Sequence, residues 1–181
     1  MFSSRLTIDQ VPHLITNKRV LIRANLNFTS INSFFTDDVR VSPLVQTVNF
    51  CKQHNAKSII LMGHLGRPNG VRQQQYSIKQ YITDIESMLD DKITFLDDCV
   101  GDEVVNYCMN ANNSEIVLLE NLRFHQEEEY KGHTSDINKF RDQLDHIGEI
   151  YINDAPCTCN RDNVSVSGVN IEPRAAGFAF K

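Results

Sequence analysis

Long apolar segments are missing from this sequence of 181 residues. No stretch reaches the roughly 18 consecutive apolar residues that a membrane-spanning helix needs. The N-terminal segment, residues 1–15, contains no apolar run of the length found in signal peptides. We therefore expect neither membrane insertion nor export.

An excess of positive charge is missing as well. The chain has 18 lysines and arginines against 23 aspartates and glutamates, which gives a formal net charge of -5. A nucleic-acid binder would carry a broad basic field, and a membrane-surface protein would carry a polybasic segment. We therefore predict no nucleic-acid partner.

Signatures of disulfides, zinc sites and nucleotide loops are also lacking. The five cysteines are an odd number without regular spacing, which favours reduced thiols in the cytoplasm. Cys157 and Cys159 form a close pair, but no second Cys/His pair at a zinc-site spacing accompanies them, so we predict no metal site. No GxxxxGK[ST] loop occurs, and the chain shows no nucleotide site of its own.

Short apolar runs alternate with longer amphipathic stretches, a pattern typical of βαβ units and a parallel sheet covered by helices. With 41% hydrophobic residues and no Pro/Gly/Ser linker, residues 1–181 are expected to form one domain around one core. Five runs predict strands buried on both faces. They are Arg19–Arg23, Ser58–Met62, Lys92–Leu96, Glu115–Leu119 and Glu149–Ile152.

Apolar residues spaced three and four apart predict four helices between these strands. In the first, Val41 to Cys51 share one face, and Asp37 and Asp38 lie at the expected start, where carboxylates complement the helix dipole. The second is opened by Ser77 as a candidate N-cap. The others are expected over Asp102–Met109 and Asp136–Ile147.

Polar residues gather where the predicted strands end. Parallel strands present their carboxyl ends at one edge of the sheet, and ligands of open α/β sheets bind there. One arginine alone would ordinarily be a solvated surface charge, and one histidine could equally belong to the core. Together, the forked guanidiniums suggest a small ligand carrying phosphate and carboxylate groups. The candidates are Asn25, Asn27, Arg40, His64, Arg67, Arg123 and Arg161.

The run Glu127–Glu129 follows the fourth predicted strand. Consecutive like charges usually form a solvated face. We interpret this run as an exposed loop and assign it no chemistry.

Several segments, in this order and at compatible spacing, resemble motifs of the phosphoglycerate kinase family. The resemblance runs from Leu6 to Phe178. It implies an α/β fold, a Rossmann-like three-layer α/β/α domain with a six-stranded parallel sheet. It further implies the N-terminal lobe that binds 3-phosphoglycerate or 1,3-bisphosphoglycerate in glycolysis. The segments are Lys18–Arg23, Ala56–Ser58, His64–Pro68, Leu118–His125 and Tyr151–Ala155.

The resemblance also implies a role for each candidate. Arg40 would be the catalytic arginine that stabilises the phosphoryl group in transfer, where positioning and charge are the main needs of the reaction. Asn27 would hydrogen-bond the glycerate end of the substrate. The substrate phosphate would be held by His64, Arg67, Arg123 and Arg161.

The chain departs from the family pattern at several of these positions. Asn25 stands where the family has an aspartate, and losing that charged acceptor would cost roughly 1–3 kcal/mol, about 10- to 100-fold in affinity. Asn160 and Asn163 replace two histidines, and Cys157 replaces a glycine. We therefore expect the loop that presents Arg161 to take another path.

The family continues beyond the part that this sequence resembles, into a C-terminal nucleotide-binding lobe. We therefore expect no cofactor on this chain, and ATP or ADP with magnesium only where such a lobe is supplied. Three interpretations remain open. The chain is part of a true phosphoglycerate kinase, or an inactive paralogue that binds 3-phosphoglycerate or a similar small anion, or a scaffolding subunit with a protein partner. By itself it is not expected to be catalytically competent.

Overall fold

The computed structural model describes residues 6–26 and 41–181. Strands and helices alternate along it as the apolar pattern predicts. The strands are β1 (Arg19–Ala24), β2 (Ser58–Met62), β3 (Ile93–Leu96), β4 (Glu115–Leu119), β5 (Ile150–Asp154) and β6 (Arg174–Ala176). The helices are α1 (Val41–Gln53), α2 (Ile82–Leu89), α3 (Asp102–Asn110) and α4 (Thr134–Ile147).

The six strands form one parallel sheet in the order β3-β4-β2-β1-β5-β6. β1 lies in the interior of the sheet and pairs with β2 on one side and β5 on the other. β6 pairs with β5 and supplies the sixth strand that the family resemblance implied. The chain crosses between β4 and β5 to the other side of β1, so the loops after β1 and β5 meet at a switch in strand order, where ligands of such sheets bind.

Side chains alternate between the two faces of the sheet with the period of two that strands impose. Ile22 and Leu61 belong to one buried cluster, together with apolar residues of α1 and α2. Leu21 and Ile60 belong to a second cluster, which includes residues of α3 and α4. The helices therefore cover both faces, and the predicted three-layer α/β/α fold is confirmed.

The predicted element boundaries differ from the observed ones at a few points. The stretch after Ser77 is a 3-10 turn (Ile78–Tyr81) followed by α2, and the predicted N-cap is confirmed because the Ser77 hydroxyl accepts the Lys79 amide at 3.3 Å. Asp37 and Asp38 lie outside the described residues. Within the described ranges, no helix combines the length and apolarity needed to cross a membrane.

The buried carboxylate of Glu120 ties the end of β4 to the start of the helical segment before α2. Only 2% of Glu120 is exposed. Its oxygens accept the Ser77 hydroxyl at 2.5 Å, the Ile78 amide at 2.8 Å and the Asn121 amide at 2.7 Å. These bonds satisfy amides at a helical start, which have no partner within the helix.

Replacing Glu120 with alanine is expected to lower the free energy of unfolding by about 3 kcal/mol, because it leaves buried donors without acceptors. Urea denaturation measures the change. Glu127→Ala, in the loop that follows, is the control and should cost at most about 0.5 kcal/mol. Equal effects of the two substitutions would contradict this role of Glu120.

Candidate functional site

The candidate residues that the structure describes lie on the loops that follow the carboxyl ends of β1, β2, β4 and β5. Asn25 follows β1 directly and is half-buried. Asn27 and Arg40 lie outside the described residues, so their predicted roles stay predictions.

His64 is buried on the loop after β2, with 6% of its surface exposed. Its Nδ1 lies 2.6 Å from Nη2 of Arg23. A guanidinium can only donate, so Nδ1 accepts and the ring proton lies on Nε2. Burial lowers the pKa of this histidine to about 2, and the charges of Arg23, Arg123 and Arg161 add to the effect. His64 is therefore a neutral imidazole whose Nε2 can donate a hydrogen bond.

Arg123 lies on a 3-10 turn after β4 (Leu122–Phe124) and is 5% exposed. Asn121 shapes this turn, because its side chain accepts the Arg123 amide at 3.0 Å and donates to the carbonyl of Leu65 at 2.8 Å. Nη1 of Arg123 donates to the carbonyl of Gly66 at 2.9 Å. Its Nε is buried and has no hydrogen-bond partner among the described residues. Oε1 of Glu129 is 3.9 Å from that nitrogen.

Arg67 and Arg161 are both exposed at this edge, on the loops after β2 and β5. The charge of Arg161 lowers the pKa of His64 and also that of Arg123, whose pKa falls mainly through burial. Arg161, Arg123 and His64 therefore share one electrostatic environment. The exposure of the two arginines leaves their side chains accessible to solvent.

The altered loop after β5 has one buried and one exposed asparagine. Asn160 is exposed, whereas Asn163 is 3% exposed and donates to the carbonyl of Glu128 at 3.2 Å. The side chain of Asn163 therefore joins this loop to the one after β4. The side-chain amide of Asn163 therefore stabilises the conformation of the loop that presents Arg161.

Three buried residues at this edge were not among the sequence-based candidates. They are Arg23 and Ser165, both 0% exposed, and Glu128, also 0% exposed. The interpretation of the glutamate run as a solvated face was wrong for its middle member. Glu128 is buried because its carboxylate accepts both the hydroxyl of Ser165 at 2.6 Å and its amide at 3.0 Å. A charged residue within the apolar run of β1 was the one signal that could have pointed to Arg23.

The last turn, Phe178–Phe180, packs at the same edge of the sheet. Oδ1 of Asp154 accepts the Ala179 amide at 2.9 Å, and Oγ1 of Thr47 accepts the Phe178 amide at 3.0 Å. A Cβ on Gly177 would lie 2.1 Å from Oδ1 of Asp154, so the chain can pass here only with a glycine. The end of β5 is thereby joined to α1.

Asp98, Cys99 and His125 form the group in the described residues with side chains suited to a metal ion, their ligand atoms lying within 4.8 Å of one another. Nε2 of His125 is 2.7 Å from Oδ1 of Asp98, and Arg72 is 3.4 Å from its other oxygen. Burial raises the pKa of the Cys99 thiol and keeps it protonated. The group is satisfied by its own contacts, and we assign it no metal.

The structure defines the chain as a parallel α/β protein with buried and exposed arginines at the carboxyl edge of its sheet. The sequence profile described as phosphoglycerate kinase matches residues 8–181. The phosphoglycerate kinase of Euplotes crassus is 44% identical over 190 residues, which cover 100% of this chain and 46% of the relative. Human phosphoglycerate kinase 1 is 39% identical, with coverage of 99% and 45%. The chain belongs to the phosphoglycerate kinase family.

Solved structures agree with this assignment at the level of the fold. Phosphoglycerate kinase from Pyrococcus horikoshii OT3 superposes with a TM-score of 0.75 at 24% identity, covering 91% of this chain and 41% of that one. The enzyme from Coxiella burnetii gives 0.73 at 22% identity, with coverage of 98% and 42%. The chain spans about half the length of the curated relatives it matches.

Because folded His64 is neutral, we predict that the protein loses stability as the pH falls. A histidine in the unfolded chain has a pKa of about 6.5. Because the pKa of folded His64 is about 2, the unfolded chain takes up the additional proton as the pH falls, and the folded state loses stability. Between about pH 7 and about pH 5, this group should remove roughly 2 kcal/mol from the free energy of unfolding.

Urea denaturation of the wild type and of His64→Asn at both pH values isolates this contribution, because the other titrating groups are common to the two proteins. The variant should lose about 2 kcal/mol less than the wild type on acidification. The same loss in both proteins would show that His64 titrates normally.

Proposed function

We propose that this chain is the substrate-binding half of a phosphoglycerate kinase and holds the phosphate of 3-phosphoglycerate at the carboxyl edge of its sheet. The observation that carries the proposal is the guanidinium of Arg123. It is 5% exposed, and its Nε has no hydrogen-bond partner among the described residues. An unsatisfied buried donor is costly, and a phosphate oxygen would satisfy it with a charge-assisted bond.

The electrostatics of the edge favour the same ligand. Burial lowers the pKa of Arg123, and the charge of Arg161 lowers it further. Glu129, with 3.9 Å between its Oε1 and Nε of Arg123, acts in the opposite direction. A dianionic phosphate would relieve the repulsion between the guanidiniums. Arg67, exposed after β2, is proposed to contribute a further donor.

The complete reaction requires a second half. We propose that a nucleotide-binding lobe, supplied with ATP or ADP and magnesium, brings the second phosphate to Arg40, where charge builds up during phosphoryl transfer. The curated relatives, of which this chain covers about half, support this proposal. We also propose a cytoplasmic location, which the free thiols of the five cysteines support.

An inactive anion-binding paralogue is the second candidate. The amides at Asn25, Asn160 and Asn163 favour it, because they stand where the family resemblance implies an aspartate and two histidines. Asn163 is committed to the Glu128 carbonyl, so it is not offered to a ligand at the site.

Calorimetric titration of the chain with 3-phosphoglycerate tests the binding function. We expect a dissociation constant below about 1 mM, and Arg123→Met should weaken binding by about 10- to 100-fold through the loss of a charge-assisted contact. The matched control is Arg141→Met, on α4, whose guanidinium pairs with Asp142. Its affinity should remain that of the wild type. No heat of binding at millimolar ligand would refute the proposed function.

A coupled assay separates the kinase half from the inactive paralogue. Mixed with the separately expressed nucleotide-binding half of a relative, the chain should support ATP-dependent phosphorylation of 3-phosphoglycerate, and Arg40→Ala should reduce the rate by about 100-fold or more. Intact binding without activity in the mixture would favour the paralogue.

A further inference from the structure

We infer that Glu128 and Ser165 are positioning residues that act through Arg23 to hold His64 as a neutral Nε2–H donor facing the anion site. This inference deepens the proposed function and rests on it. Its basis is an unbroken chain of hydrogen bonds among four buried side chains. These are Glu128, Ser165 and Arg23, each 0% exposed, and His64 at 6%.

The series of hydrogen bonds begins at the carboxylate of Glu128, which accepts two hydrogen bonds from Ser165. Oε1 of Glu128 accepts the Ser165 hydroxyl at 2.6 Å, and Oε2 accepts the Ser165 amide at 3.0 Å. Because the hydroxyl proton is donated to Glu128, the lone pairs of Oγ face the other way. There Oγ accepts Nε of Arg23 at 3.0 Å. The carboxylate therefore fixes the direction in which Ser165 can accept.

The orientation of the Arg23 guanidinium in turn determines which nitrogen of His64 accepts a hydrogen bond. With Nε held by Ser165, its Nη1 donates to the carbonyl of Ala24 at 2.7 Å, which fixes the plane of the guanidinium. Nη2 then lies 2.6 Å from Nδ1 of His64. Since the guanidinium can only donate, Nδ1 must be unprotonated and Nε2 must carry the proton. A second ring tautomer would place two donors against each other.

The four residues come from different parts of the chain. Arg23 is on β1, His64 follows β2, and Glu128 lies on the turn Gln126–Glu129 after β4. Ser165 lies on the helical turn Val164–Gly168 after β5, where Tyr151 of β5 donates to its carbonyl at 2.8 Å. The network therefore joins β1 to the loops after β2, β4 and β5, three of the four loops that carry the described candidate residues. A change at Ser165 can reach His64 without touching a ligand.

The charged residues at this edge have different roles. Burial raises the pKa of Glu128, and the nearby charge of Arg23 opposes that rise. The guanidinium of Arg23 is committed to hydrogen bonds within the protein, while Arg123 and Arg161 remain to meet the charge of an anion. His64 adds a donor with a fixed direction. Such preorganised donors reduce the ordering that a ligand would otherwise impose.

Nitrogen-15 NMR of the histidine ring reads this arrangement directly, without any ligand. In the wild-type chain we expect His64 to show one protonated and one unprotonated ring nitrogen, with the proton on Nε2. Ser165→Ala should shift the His64 signals toward an average of the two tautomers. Ser167→Ala is the matched control two residues further along. The Ser167 hydroxyl forms hydrogen bonds with Tyr130 and with the carbonyl of Asn163, which lie outside the network. The His64 signals of the Ser167→Ala variant should therefore equal those of the wild type.

Affinity provides the second readout. Ser165→Ala should bind 3-phosphoglycerate about 3- to 10-fold more weakly, the effect of about one misdirected hydrogen bond. Ser165→Thr restores the hydroxyl and should restore the Nε2–H tautomer. Ser167→Ala should bind like the wild type.

Three results would overturn the inference. They are a proton on Nδ1 of His64 in the wild type, rapid averaging of both tautomers in the wild type, and His64 signals of Ser165→Ala that match those of Ser167→Ala. The first two need no variant, so they decide the matter even where Ser165→Ala fails to fold. A wild-type chain with the Nε2–H tautomer that binds no 3-phosphoglycerate would contradict the proposed function while leaving the positioning chain supported.

Discussion

The guanidinium of Arg23 is the group on which the carboxyl edge of the sheet depends. It sits at 0% exposure within β1, in the interior of the sheet, and donates to partners on three sides. A charge in that position is tolerated only when it is paired and hydrogen-bonded, since removing a partner from a buried ion typically costs several kcal/mol. The loops after β2, β4 and β5 must therefore converge around it. The site is a consequence of satisfying one buried arginine.

This constraint explains why the positive residues of the edge behave differently from one another. Arg23 is consumed by contacts within the protein, and its charge helps to keep His64 neutral. Arg123 is buried and its Nε has no hydrogen-bond partner among the described residues, whereas Arg161 is exposed. Burial and hydrogen bonding together thus separate a structural arginine from the arginines that remain for a ligand. A list of cations drawn from the sequence cannot make that separation.

Much of the fold was predictable because its signals are local. β2 and β4 have the predicted bounds, since short apolar runs in a parallel sheet are buried on both faces and bounded by polar residues. The strand-end rule also placed His64 and Arg123 at one edge. β6 is different, because its three residues, Arg174–Ala176, carry no pattern of their own, and only the family resemblance implied it.

The parts that escaped prediction depend on contacts between distant segments. Glu128 stands in a run of three glutamates, and nothing local distinguishes it from its neighbours. It is buried because Ser165, 37 residues later, offers it two donors. The neutral state of His64 likewise depends on burial and on Arg23, which is 41 residues earlier. Such properties arise only when the loops are brought together in space.

The most direct test of the account is a crystal structure of the chain with 3-phosphoglycerate. The account predicts a phosphate oxygen within hydrogen-bond distance of the Arg123 guanidinium, a second contact from Nε2 of His64, and an unchanged bond between Nδ1 of His64 and Arg23. A phosphate bound away from Arg123, or a His64 ring that has turned to offer Nδ1, would contradict it.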